Sequence, residues 1–224
     1  MKAILSNVKS RRPRAGRAGL GYGGLTAVLC LLLSGCPIAN LPQAQPDPTR
    51  YYLLNATGAG FPADIGAAER RWVVGLRAVE VPSYLQSKSF AVRSAANEIK
   101  YLDFTSWGEP LDQGIMRVLA ADLQSFKNVA RVSLPPFRPD EPRDYEILVR
   151  VTACEGAADG SVQFAADWRV AAPGGAAPVA EGSYDAPALR WDGHDYGQLA
   201  ARLSEAVAGL SREIGAALPH QPAG

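Results

Sequence analysis

The sequence predicts an α+β fold of two layers, with two amphipathic helices packed on one face of a mostly antiparallel sheet of six to seven strands. Three observations carry this expectation. Residues 145–153 and 162–170 alternate apolar and polar side chains on either side of a glycine-containing turn, as a hairpin with one buried face does. Two segments, 110–127 and 195–218, instead repeat their apolar residues at spacings of three and four, the period of a helix buried along one stripe. Runs rich in β-branched and aromatic residues fill most of the remainder.

Taken in order, residues 1–35 read as an export leader. Lys2, Lys9, Arg11, Arg12, Arg14 and Arg17 come with no acidic residue, and an apolar stretch over about 20–33 follows. That stretch is too short and glycine-rich to span a bilayer, which takes about 20 apolar residues. It ends in Leu33, Ser34, Gly35 and Cys36, the lipobox pattern of a bacterial lipoprotein signal, in which the cysteine sulfur receives a diacylglycerol and the chain is cut just before it. An ordinary secretory signal or a membrane-spanning helix with a chance cysteine is the alternative. Arg11-Arg12 hints at twin-arginine export, but Pro13 and Arg14 follow where that signal favours apolar residues.

Cleavage alters the charge. The 23 basic and 22 acidic residues sum to +1, but six of the basic ones lie in the leader, leaving 17 against 22, formally −5. A mildly acidic mature chain gives no electrostatic reason to expect nucleic acid as a partner. Cys30 leaves with the leader and Cys36 is spent on lipid, so Cys154 has no partner for an internal disulfide and is expected as a passive thiol.

Residues 36–50 contain Pro37, Pro42, Pro46 and Pro48 and read as a tether from lipidated Cys36. The expected domain covers 51–218. It opens with a short strand at 51–54 and a Gly/Pro-rich connection over 55–69. Strands follow over 72–81, 89–93 and 98–104, with a turn at 94–97. Pro110 starts the first helix, whose stripe is Leu111, Ile115, Leu119, Leu123 and Phe126, with Asp112, Arg117, Asp122 and Lys127 mostly away from it. A strand at 129–134, the hairpin and a strand at 180–189 come next, with Glu155, Asp159 and Gly160 as its turn residues. Asp195 with Gln198 resembles a capping box for the last helix, and 219–224 reads as a frayed tail.

Catalysis requires a cluster of acid, base, nucleophile or metal-binding groups. Asp192, His194 and Asp195 form the one crowded candidate, and their spacing matches no strong zinc or calcium motif, so they read as a polar cap. The sequence has no phosphate loop, nucleophile elbow or CxxC motif. The expectation is a protein that is not an enzyme and uses neither metal nor cofactor beyond the covalent lipid.

The lipobox is followed by Tyr51-Tyr52-Leu53-Leu54, by Val81-Pro82-Ser83-Tyr84-Leu85, by Asn97 and Tyr101, and by Trp107-Gly108-Glu109-Pro110-Leu111 running into Arg117-Val118-Leu119-Ala120-Ala121-Asp122-Leu123. From about 36 to 218 the chain resembles the ABC-type transport auxiliary lipoproteins, the group that includes the paraquat-inducible protein C type. It departs from them at Ser106, where the family usually carries arginine. The resemblance implies a non-catalytic adaptor that works with an MCE-domain protein and an inner-membrane ABC transporter or permease, moving lipid or other hydrophobic molecules between membranes, with a homo-oligomer as one arrangement. Pro37, in place of the aspartate that commonly retains lipoproteins in the inner membrane, favours the outer membrane by analogy. Tyr84, Leu85, Trp107, Glu109, Pro110 and Leu111 are the candidate partner surface. A structural envelope lipoprotein that tethers cell-wall or assembly machinery, and a small-molecule or lipid-binding domain, are the other readings.

Overall fold

The computed structural model describes residues 46–58, 71–175 and 177–219. The leader, the lipobox with Cys36, most of the tether and the tail at 220–224 lie outside the described residues.

The sheet is built around a long hairpin. Strand β6 (Tyr145–Ala157) and strand β7 (Ser161–Ala171) run antiparallel, from Glu146 opposite Ala171 to Gly156 opposite Val162, with a bulge between Val151 and Ala153. Ile147, Val149 and Val151 are buried, whereas Leu148, Arg150 and Thr152 are exposed, so the alternation seen in the sequence does divide a core face from an open one. On the β7 side lie β8 (Pro178–Asp185) and the two-residue β9 (Leu189–Arg190), where one strand over 180–189 was expected.

The other edge of β6 carries two strands end to end. Strand β2 (Trp72–Leu76) pairs parallel with its beginning, Val74 opposite Tyr145, and β3 (Ser89–Ala95) pairs parallel with its end, Val92 opposite Gly156. Between them an isolated bridge joins Glu80 to Arg150. Strand β5 (Val129–Ser133) flanks β2 in parallel, β4 (Glu98–Trp107) flanks β3 antiparallel, and β1 (Arg50–Tyr52) flanks β4 in parallel. The sheet is therefore mixed and nine-stranded, not mostly antiparallel with six or seven strands. The expected strand over 72–81 stops at Leu76, and the chain then runs past Glu80 to a single 3-10 turn, Ser83–Leu85.

Helix α1 (Leu111–Gln124) and helix α2 (Tyr196–Ala217) pack against each other and bury their apolar stripes on the sheet. In α1 the stripe is Leu111, Ile115, Val118, Leu119 and Leu123, and Pro110 stands at its N-cap, one position earlier than expected. Asp195 caps α2 by accepting from the backbone N–H groups of Gly197 and Gln198, at 2.8 and 3.2 Å. The return arm of the expected capping box goes elsewhere, because Gln198 Oε1 accepts from the N–H of Asp192 at 2.7 Å.

Close packing of α2 depends on glycine. A methyl group at Gly215 would overlap the Phe126 ring, and one at Gly209 would meet the Tyr184 hydroxyl. Asp122 corrects the sequence reading, which put it mostly away from the apolar stripe: it is fully buried between the helices. Its carboxylate accepts from the Ser211 hydroxyl at 3.3 Å and from the Gly58 N–H at 3.5 Å. Burial raises its pKa despite these two donors and the nearby Arg212.

Candidate functional site

Glu155 was expected in the hairpin turn, but it lies inside β6 with 1% of its surface exposed; Asp159 and Gly160 hold the turn. Its carboxylate accepts from the Tyr84 hydroxyl at 2.8 Å, from Arg93 Nε at 3.0 Å and from the Cys154 N–H at 2.9 Å. A buried carboxylate is tolerable only when paired and hydrogen-bonded in this way. The Val81-Pro82-Ser83-Tyr84-Leu85 segment thus places a hydroxyl against that charge, and Leu85 fills the core beside it. The Tyr84 hydroxyl is held protonated, by burial first and by the hydrogen bond to Glu155 second. Burial likewise pushes the Cys154 thiol up, so it is a poor nucleophile.

The second candidate stretch forms a corner between β4 and α1. Trp107 is buried and stacks on Phe90 with ring centroids 3.9 Å apart, and Phe90 meets Tyr52 edge-on at 5.4 Å. Leu111 is buried as well. Glu109 reaches over the first turns of α1 to Arg117, whose Nη2 also donates to the Leu54 carbonyl at 2.8 Å. One guanidinium therefore ties the end of the β1 segment to the start of α1. Of the six candidate partner residues, Leu85, Trp107 and Leu111 are core, Tyr84 and Glu109 are half-buried, and Pro110 is exposed. The structure does bring the two stretches into one hydrophobic cluster, from its interior side.

In the Asp192 loop, the Asp192 carboxylate accepts from the N–H groups of His194 and Asp195 at 2.8 and 2.7 Å, which lowers its pKa. Asp195 is engaged as the α2 cap. Among the described residues no three His, Cys, Asp or Glu side chains gather as a metal site.

A feature without a sequence signal lies at the β1–β4 edge. Ser89 is opposite Ser106 and Ala91 is opposite Tyr101, so residues 102–105 of β4 face the single residue Phe90. At this bulge Phe104 adopts φ 54°, left-handed backbone that a bulky side chain rarely takes, with 62% of its surface exposed. The only clue in the sequence would have been the greater length of β4 over β3, which strand propensity does not report.

The model of the ABC-type transport auxiliary lipoprotein component matches residues 52–215, from β1 into the last turns of α2. The chain belongs to this family. Membership makes it a transport auxiliary component among membrane-anchored envelope lipoproteins. Solved structures share the fold: an uncharacterized protein with TM-score 0.62 and 21% identity covers 76% of this chain and 99% of its own. A protein from Xanthomonas campestris, with TM-score 0.57 and 14% identity, covers 67% of this chain and 85% of its own. No curated protein matches the chain significantly. Among the described residues no helix of this lipoprotein is long and apolar enough to cross a membrane.

Proposed function

We propose that this auxiliary lipoprotein is the lipid-anchored accessory subunit of an MCE-type intermembrane transport system, held at the outer membrane and facing the periplasm. One observation carries the reading: the family match spans the folded domain nearly from end to end, behind a lipobox ending in Cys36. Residues 1–35 act as signal peptide, 36–50 as tether and 51–218 as the adaptor domain. The role is non-catalytic. Its polar clusters at Glu155, Glu109 and Asp192 each hydrogen-bond to neighbouring parts of the fold, which supports a role in holding shape. Toward the MCE-domain partner, the candidate surface offers the exposed Pro110 and the half-buried Glu109 and Tyr84, backed by the buried Trp107, Leu85 and Leu111.

The test is a cross-linked pull-down from membranes comparing the wild type with Cys36→Ala. Recovery of an MCE-domain protein with its ATPase or permease, reduced several-fold in the variant, is expected. Cell-wall or assembly proteins in their place would overturn the reading in favour of a structural tether. Stoichiometric lipid bound to the domain, with no protein partner, would favour a lipid-binding module.

A further inference from the structure

We propose that the β1–β4 edge, with Phe104, Tyr51 and Leu53 at its centre, is a foot that rests in the headgroup region of the bilayer holding the Cys36 lipid. The inference rests on the lipid anchor of the proposed function and adds a defined orientation to it.

The three side chains lie within a few ladder positions of one another. Arg50 is opposite Thr105 and Tyr51 opposite Ser106, so the β1–β4 ladder begins at the residue after Phe104. Tyr52 and Leu54 turn toward the core, which leaves Tyr51 and Leu53 on the outside, 62% and 48% exposed. Of the other large exposed aliphatic side chains among the described residues, Leu148 and Val179 lie on β6 and β8, and Leu134 follows β5 at the opposite end of the strand order from β1. Among the described residues Phe104 alone of the non-glycine residues takes a left-handed backbone, and it stands beside the exposed Tyr51. Strain that ejects an aromatic ring into solvent has no use in packing and points to a surface that the ring meets.

Chain length identifies that surface. Thirteen residues separate Cys36 from Arg50. Fully stretched they reach about 45 Å, and as a flexible coil roughly 20 Å. The acyl chains therefore keep this edge, where the tether joins the sheet, within the domain's own dimensions of the bilayer. At that effective concentration, contacts too weak to bind a free protein are enough to orient a tethered one. Phenolic and phenyl rings suit the boundary between headgroups and acyl chains. Arg50, exposed beside them, can lay its stem on that boundary with its guanidinium among phosphates. Two acids stand close by in the chain: Asp47 accepts from the Thr49 hydroxyl at 2.6 Å and its N–H at 2.9 Å, so it is occupied locally, and Asp103, next to Phe104, is exposed.

The full lipidated chain provides the test. Trp72, Trp107, Trp168 and Trp191 are all buried, so a Phe104→Trp substitution supplies the one exposed indole. The chain is reconstituted in vesicles of phosphatidylethanolamine and phosphatidylglycerol, with and without bromine on the acyl chains. Brominated lipid should remove at least half of the fluorescence added by Phe104→Trp, and leave that added by Leu134→Trp unchanged. Tyr51→Trp reads the same surface if Phe104→Trp misfolds. Vesicle flotation without quenching of either indole would overturn the foot and leave the anchor intact. Equal quenching of Leu134→Trp would overturn the orientation. Protection of the Phe104→Trp indole from aqueous quencher in detergent solution would assign the edge to a second copy of the chain instead. Failure of the wild type to float with vesicles would overturn the anchor, and this inference with it.

Discussion

The seam between α1 and α2 and the edge formed by β1 and β4 belong to one domain and treat backbone and side chains in opposite ways. At the seam, small residues such as Gly215 and Ser211 let bulky neighbours approach, and even a carboxylate, Asp122, is enclosed. At the edge a phenylalanine is held in a backbone state suited to glycine, and its ring is left in water. The difference teaches where to look for function in a chain of this kind. Residue types that stand out in the sequence can be absorbed by packing, as Trp107 is, while the unabsorbed surface can lie in a stretch that reads as ordinary strand.

Substitutions can break or sharpen this contrast. Trp107→Ala should have the largest effect, lowering stability by about 3–5 kcal/mol in urea unfolding, because it empties the stack on Phe90. A cost near zero would mean that the corner is a surface feature. Next, Gly215→Ala should destabilise by about 1–3 kcal/mol, since Phe126 must move off the helix to admit the methyl group. Gly209→Ala should cost a similar amount, because the Tyr184 ring, with Cζ 2.8 Å from the added methyl group, must move as well.

Asp122→Asn turns on pH. The folded-state pKa is raised above the 3.8 of the free carboxyl. The native chain thus keeps a proton that the unfolded chain has lost, and stability falls as pH rises from about 4 through the folded value. Thermal melts should show Asp122→Asn above the wild type at pH 7, with the gap closing toward pH 4. A variant less stable at pH 7 would show that the contacts of the carboxylate with Ser211, Gly58 and Arg212 outweigh its burial. The smallest effect should have the opposite sign to that of Trp107→Ala. Phe104→Gly should raise stability by about 1 kcal/mol by relieving the left-handed backbone, with the melting temperature as the readout.

Much of the fold was legible because its strongest elements are local. The β6–β7 hairpin and α2 announce themselves by periods of two and of three to four within a single segment. Parallel pairing leaves no such trace: nothing within 72–76 states that Val74 will lie opposite Tyr145, and the mixed, nine-stranded sheet was therefore missed. Two acids were misplaced for a related reason. Glu155, beside Gly156, resembles a turn residue until Arg93 and Tyr84 arrive from 62 and 71 positions away. Asp122 looks like the wet side of a helix until Ser211, 89 positions on, arrives to meet it. At the candidate site, the Trp107 corner was legible as a helix start. The bulge at Phe104 was not, because it exists only as a mismatch of register between two strands.

The shared edge of β6 has a consequence for how the chain matures. Strands β2 and β3 precede β6 by about seventy and sixty-four positions, and both hydrogen-bond to it. A polypeptide threaded across a membrane with its N-terminus first therefore delivers these strands before their template exists. Contacts of such sequence separation form slowly. Until residues 145–157 have crossed, the β6-facing edges of β2 and β3 stay open to whatever is nearby. If the chain crosses unfolded, export sets an interval in which an escorting chaperone matters most, and that interval closes when the central hairpin zips.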